Sequence, residues 1–379
     1  MIIRRLPVFM SVLMVFCFFS PMNLQARTKL AAVPERKNVV IRMDNPQVTL
    51  VQESRTLTLQ QGVNHVDFSW TGVQINQDSI RLDILSQKDN VSLLSVSYPP
   101  QESALVWAIH STIPAQVKVR ISYLLSRLDS LSTYRGVVNL EETAFEMASY
   151  RVVRNFSGED FGAAEVSFGS KRMNVAPIRH GETKRLLAQK IQSTPLTKRI
   201  VFDSKKHPWD PEKEEATVGL PVSYISKNIK ENGLGSQLLS RGKMRVFIED
   251  GHGSVVFVGE DHIGPVPIGQ NMDVTIGRSR DVKVTQRKMS SKKVNVRRNS
   301  DNHVVLYDLE ELVKAELKSF KDKPVLLIVK EHIPGEWEML NTNVDYTRKD
   351  AHTVEYEIGL PPSGSMELVM QYRRRNIRR

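Results

Sequence analysis

The sequence predicts an all-β protein built of antiparallel β-sandwich modules, with one short helical segment near 181–192. Three observations point there. Apolar and polar residues alternate along many short runs, turn residues separate the runs, and no regular strand–helix–strand order is present. Alternation with period two gives a strand one buried face and one wet face, as in antiparallel sandwiches.

The chain opens with MIIRRLPVFMSVLMVFCFFSPMNLQARTK. Arg4 and Arg5 form a basic start, Leu6 to Ser20 is apolar and uncharged, Pro21 breaks the run, and Ala26 is a small residue suited to precede a cut. That layout predicts a signal peptide over 1–26, cleaved near Ala26, and an exported chain, periplasmic or secreted. A membrane span needs about 20 apolar residues, more than this run holds. Phe16 before Cys17 argues against lipid attachment. Cys17 is the only cysteine and leaves with the signal. The mature chain then has no disulfide, no disulfide-linked partner, no thiolate chemistry and no cysteine-based zinc site.

An N-terminal β module is expected over 27–130. SIRLDIL places Ile80, Leu82 and Ile84 on one face, and VKVRISYLL does so with Val117, Val119, Ile121 and Tyr123. The alternation lapses at SRLDSLS, Ser126 to Ser132. A C-terminal β domain is expected over 131–379. DVKVTQ and KKVNVRR alternate through Val282, Val284, Val294 and Val296; HTVEYEIGL through Val354, Tyr356 and Ile358; SMELVMQY through Met366, Leu368, Met370 and Tyr372. Turns are signalled at Gln61-Gly62, Ser157-Gly158, Asp250-Gly251 and Pro361-Pro362-Ser363-Gly364. DSKKHPWDPEKEEATVG reads as a charged loop at 203–219. Two stretches read as helical. GETKRLLAQKIQ spaces Leu186, Leu187 and Ile191 helically. DLEEL suggests a short helix or turn at Asp308 to Glu311, before a strand. Trp70, Trp107, Trp209 and Trp337 are expected in the core or at its rim.

The formal charge is +11, or +9 without Arg4 and Arg5. The excess is clustered. Arg278 to Arg298 carries nine basic residues and one acid, Asp281, and the tail YRRRNIRR adds Arg373, Arg374, Arg375, Arg378 and Arg379. Clustered positive charge attracts polyanions. For an exported chain this predicts an acidic polymer or an anionic membrane surface as partner, with no nucleic acid. The competing reading is a solvated strand face guarding a sheet edge.

Signatures of common chemistries are missing. NGLGSQLL has Gly233 and Gly235 but Leu238 where a dinucleotide loop needs glycine, and no phosphate loop, GxSxG elbow or His-Glu-x-x-His helix is present. EDGHGSVVFVGEDHI gathers Asp250, His252, Glu260, Asp261 and His262, all able to ligate a divalent ion. Read as a hairpin, however, it sets its two polar ends roughly 20 Å apart along one strand. Each end then reads as a turn, with the acids after Gly259 paired to Arg241 and Lys243. NFSGEDF, with adjacent Glu159 and Asp160, also reads as a turn, since neighbours on a strand face opposite ways. Asn155 and Asn90 begin glycosylation sequons. No catalytic, cofactor-binding or metal-ligating residue is assigned, and no cofactor.

The stretch NGLGSQLLSRGKMRVFIEDGHGSVVFVGEDHIGPVPIGQNMDVTIGRSRDVKV resembles an exported β-domain family catalogued as domain of unknown function 4139, some members of which are labelled mucoidy-inhibitor-like. The resemblance rests on Leu234-Gly235, Gly242, Val246, Gly253, Gly259-Glu260-Asp261, Pro267-Ile268-Gly269, Gly277 and Asp281-Val282. YRVVRNFSGEDF, FKDKPVLLIVKEHIPGEW and LTLQQGVNHVDFSWTGVQINQDSIRLDIL extend it over most of the mature chain. Leu131 stands where many members have Trp, Arg278-Ser279-Arg280 replaces a small apolar run, and the family's frequent coiled-coil insert is absent. The resemblance implies a bacterial envelope location and brings no catalytic residues. The expectation is an exported, non-catalytic protein that binds or scaffolds envelope material through its sheets. Two alternatives stay open: a metal-assisted hydrolase of envelope material using His252 or Asp261-His262, and a module that pairs strand edges with a partner protein.

Overall fold

A computed structural model describes residues 31–378 except 46, 170, 207–214 and 217–218. The signal-like segment, Cys17, Trp209 and most of the expected charged loop lie outside the described residues. Among the described residues only Gln77–Ser79 and Lys230–Asn232 are helical, each a single 3₁₀ turn, and no helix is long and apolar enough to cross a membrane. The all-β expectation holds.

Contacts divide the chain into two compact units. Of the described residues, the first takes those up to Asp44, Thr49–Ser126 and Ser157–Pro177, and the second those of Asn45–Val48, Arg127–Phe156 and from Ile178 onward. The first unit thus takes a segment, 157–177, that the sequence reading set in the C-terminal domain. It holds β1 (Ala31–Ala32), β2 (Asn38–Arg42), β3 (Thr49–Leu59), β4 (Gly62–Ser69), β5 (Arg81–Ile84), β6 (Val91–Ser97), β7 (Ala104–Ser111) and β8 (Ala115–Leu125). The chain then gives β9 (Leu128–Val138) and β10 (Ala144–Asn155) to the second unit and returns for β11 (Ala164–Phe168) and β12 (Lys171–Val175). The second unit continues with β13 (Thr183–Pro195), β14 (Thr197–Asp203), β15 (Glu215–Ala216), β16 (Leu220–Lys227), β17 (Gly242–Glu249), β18 (Val255–Ile263) and β19 (Asn271–Ser279). It ends with β20 (Val282–Arg298), β21 (Val304–Ser319), β22 (Val325–His332), β23 (Glu336–Thr342), β24 (Tyr346–Arg348), β25 (Thr353–Leu360) and β26 (Ser365–Arg378).

In the first unit, a sheet of order β1-β4-β7-β6 faces one of order β12-β11-β2-β3-β8-β5. The alternation in β8 does what its period requires: Val117, Val119, Ile121 and Tyr123 are all buried. Phe68 lies 5.6 Å from Trp107 on its own sheet and 6.0 Å from Tyr123 across the sandwich. Each fully buried Val or Ile here contributes about 1.5–3 kcal/mol relative to exposure.

The second unit has three sheets, of order β13-β10-β9-β17-β18, β19-β16-β14-β22-β25-β24 and β15-β20-β21-β26-β23. The middle sheet serves two cores. Tyr224, Met272 and Val274 pack with Tyr134, Phe145 and Met244 of the first sheet. Ile200, Phe202, Val329 and Tyr356 pack with Val282, Val284, Val313 and Met370 of the third. Ile276, skipped where the β16–β19 ladder slips, touches both cores. Two pairings are parallel and join distant segments: β17 with β9 through Gly242↔Ser132, and β14 with β22 through Ile200↔Leu327.

Both helical expectations in this unit fail. Residues 183–195 form β13, paired with β10 from Arg154↔Thr183 to Ala144↔Pro195. Two bulges in that ladder shift the side-chain parity, so Leu186, Leu187 and Ile191 imitate a helical stripe while Leu187 is 54% exposed. Asp308 to Glu311 lie within β21, where Glu310↔Arg373 and Glu311↔Tyr372 continue the ladder to β26. There, cross-strand pairing outweighs the weak helix preference of the sequence. The expected burial of Val296 also fails: bulges interrupt β20 between Val294 and Arg297, and Val296 is 42% exposed. Trp70, Trp107 and Trp337 are buried.

Candidate functional site

The EDGHGSVVFVGEDHI stretch is the β17–β18 hairpin, with Gly242↔Ile263 and Glu249↔Val255 at its ends. Asp250 Oδ1 accepts the backbone N–H groups of His252 at 2.8 Å and Ser254 at 2.9 Å, so the carboxylate builds the turn. Those two N–H groups also hold its pKa below the usual carboxylate range. Gly251 and Gly253 take φ of 75° and 84°, a conformation that a side chain would strain.

The second expected turn is absent, because Gly259, Glu260 and Asp261 lie inside β18. A Cβ on Gly259 would sit 2.3 Å from the Ile276 carbonyl oxygen, so close approach of β19, not a turn, demands glycine there. Glu260 accepts from Lys243 at 2.8 Å and Arg245 at 3.0 Å, and those cations lower its pKa. Arg245, rather than the expected Arg241, is the second partner because it stands directly opposite Glu260. Asp261 accepts the N–H groups of His262 and Thr275. His252 and His262 are exposed at opposite ends of the strand. Among the described residues no group of three or more His, Cys, Asp or Glu is placed to hold a metal ion.

NFSGEDF is a structural turn of the first unit from Ser157 onward. Gly158 has φ of 91°, and a Cβ there would meet the Gly72 carbonyl oxygen at 2.0 Å. Glu159 accepts from Tyr123 at 3.1 Å and pairs with Arg36 at 2.7 Å. Arg36 also lies 3.7 Å from the buried Glu53, whose pKa burial raises against the opposing pull of Arg55 and Arg36. Asn155 is fully buried and donates to the Ile178 carbonyl at 3.2 Å, so its sequon is closed to a glycan in the folded chain.

Two features of the second unit stand out. The first is a ribbon. Beyond Gln286 on β20, before Glu311 on β21 and beyond Tyr372 on β26, no residue is buried, yet the three strands remain paired. Residues 287–310 and 373–378 carry ten basic residues and three acids. Part of this charge is paired across the strands. Arg373 bonds Glu310 at 2.5 Å and Glu338 at 3.0 Å, and Arg375 pairs with Glu338. Lys288 lies 2.7 Å from Glu311. Lys292, Lys293, Arg297 and Arg298 form no ion pair among the described residues; Lys293 sits over the Tyr307 ring at 4.7 Å and Arg298 donates to the Asn302 carbonyl at 2.8 Å.

The second is a polar end of the sandwich at the root of that ribbon. Glu331, on β22, is 4% exposed and accepts from Gln286 Nε2 at 2.8 Å. Burial pushes its pKa up to about 7, outweighing the hydrogen bonds from Gln286 and Ser204, while Glu311 and Asp203 raise it further. Glu311 is also buried, but Lys288 and Arg374 compensate it at 2.7 and 3.6 Å. Beside Glu331, His332 bridges Asp203 Oδ1 through Nε2 at 3.0 Å and Thr353 Oγ1 through Nδ1 at 3.1 Å, tying the ends of three strands together. A cavity of about 480 Å³ opens here, lined by Ser204, Lys205, Glu331, His332, Pro334, Gly335 and His352. Sequence reading missed this cluster. Its one signal was an acid and a histidine closing an apolar run, VLLIVKEH, as strand ends often do. Compared with known proteins, the chain matches no family model and no curated protein.

Proposed function

We propose that the chain is an exported, non-catalytic binding protein of the bacterial envelope, akin to the domain of unknown function 4139 family, and that its ribbon engages polyanionic envelope material. One observation carries the reading: an exposed ribbon of β20, β21 and β26, flanked by β23 at Arg373–Arg375, with ten basic residues against five acids once Glu336 and Glu338 of β23 are counted. Cross-strand pairing neutralises Lys288, Arg373 and Arg375, which supports the edge-guarding account for those residues. It leaves Lys292, Lys293, Arg297 and Arg298 as the binding charges. Retention on a heparin column tests this. Wild type elutes at raised salt, because each contact releases counterions. Replacing the four cations with Gln brings elution to low salt; unchanged retention of that variant removes the proposal.

The buried Glu331 supports a second reading, acid–base hydrolysis of envelope material. A carboxyl that keeps its proton to about pH 7 beside a cavity can act as a general acid. This moves the enzymatic alternative from His252 and Asp261-His262 to Glu331 and His332. Turnover of peptidoglycan or acidic polysaccharide that Glu331→Gln abolishes would favour it over the binding role.

A further inference from the structure

The ribbon is not uniformly polar. Met289, Val296 and Val305 are 50, 42 and 44% exposed. Each sits where the β20–β21 ladder slips. Lys288↔Val313 is followed by Ser290↔Leu312, which leaves out Met289. Val294↔Asp308 is followed by Arg297↔Leu306, which leaves out Val296. Arg297↔Leu306 is followed by Arg298↔Val304, which leaves out Val305. Asn295 adopts φ of 51° to make the middle bulge. A bulge re-aims the side chain it carries and releases it from cross-strand packing. The three apolar groups are therefore presented outward, interleaved with Arg287, Lys292, Lys293, Arg297 and Arg298.

We infer that the ribbon's occupant is an anionic lipid bilayer, with Met289, Val296 and Val305 entering the headgroup–acyl boundary while the cations hold lipid phosphates. This rests on the polyanion reading above and selects one source of the charge. A soluble acidic polymer offers phosphate or carboxylate groups but no apolar layer, so it gives these three residues nothing to bury. A bilayer offers both, and stable association with a membrane surface takes two such signals together. The charge is complementary in sign. The bulges also break the flat edge that would otherwise invite strand pairing with another copy.

The test uses the full chain with phosphatidylcholine vesicles, with and without phosphatidylglycerol, and a heparin column in parallel. Wild type floats with the anionic vesicles and not with the neutral ones. Met289→Ser, Val296→Ser and Val305→Ser combined lower vesicle partitioning about tenfold and leave heparin retention unchanged. The Gln variant at Lys292, Lys293, Arg297 and Arg298 loses both. All three residues are exposed, and matching circular dichroism melts confirm that the variants fold. Wild-type flotation by the Ser variant, or equal flotation of wild type with neutral vesicles, overturns the lipid inference. Heparin retention without any vesicle binding also overturns it while sparing the polyanion reading. Loss of both in wild type removes both.

Discussion

Gln286 Nε2, on β20 of the third sheet, donates to Glu331 Oε2, on β22 of the middle sheet, at 2.8 Å, and both residues are buried. Two neutral donors, Gln286 and Ser204, are scant compensation for a buried charge. Glu331 therefore keeps its proton to about pH 7 in the fold but releases it near its ordinary value of 4.5 when unfolded. Folding is favoured by this group below 4.5, and the benefit is lost as pH rises to about 7. Glu331→Gln keeps a neutral partner for Gln286. It should stabilise the chain by about 1–3 kcal/mol near pH 8 and change little near pH 4. Thermal melts of the two proteins across that range check the difference; parallel curves would show that Glu331 is ionised in the fold.

Glu142 predicts the opposite slope. Lys198 and the Tyr224 hydroxyl both bond its carboxylate, and together they outweigh burial and lower its pKa. Its stabilisation is present above the unfolded pKa and lost as acid protonates it. Glu142→Gln should cost about 1 kcal/mol at neutral pH, a figure already discounted for partial exposure, and almost nothing in strong acid. Denaturant midpoints at two pH values are sufficient to see it.

Gly158 cannot be replaced without strain. Its φ is 91°, and an added Cβ falls 2.0 Å from the Gly72 carbonyl oxygen. Gly158→Ala should destabilise the first unit by about 3 kcal/mol or more. Gly162 has open space around it and no positive φ, so Gly162→Ala should stay within about 0.5 kcal/mol. The contrast between two nearby glycines guards against a general intolerance of the segment.

His252 and His262 should be dispensable for folding. Both are exposed, and Asp250 and Glu260 already satisfy their carboxylates with backbone or cationic donors. His252→Ala and His262→Ala should each shift stability by less than about 0.5 kcal/mol. A chelator should leave the melting temperature where it was. A drop of several degrees with chelator would reinstate a metal at the hairpin.

The strands were legible where the ladder runs without slips. Val117 to Tyr123 and Val354 to Ile358 alternate over unbroken pairings, so period two in sequence equals period two in space. Bulges broke that equality elsewhere. In β13 they made a strand look helical at Leu186, Leu187 and Ile191. In β20 they turned Val296 outward. The turn at Asp250-Gly251 was readable because its cause is local, an Asp capping its own loop. Glu331 was not, because Gln286, which bonds it, and Asp203, whose charge raises its pKa, arrive from distant strands. A strand-terminal acid looks solvated until the opposing sheet is in place.

The two parallel pairings of the second unit set its tempo of folding. Gly242 meets Ser132 and Ile200 meets Leu327, so the central ladders of two sheets each close a loop of more than a hundred residues. Loop entropy must be overcome before either ladder repays it, and chains of such high contact order acquire structure slowly. No N-terminal fragment ending before Val325 can complete the middle sheet, since β22 and β25 are two of its four interior strands. Refolding after dilution from denaturant should therefore develop this unit late and in one step, leaving a long interval in which a chaperone can hold the chain open.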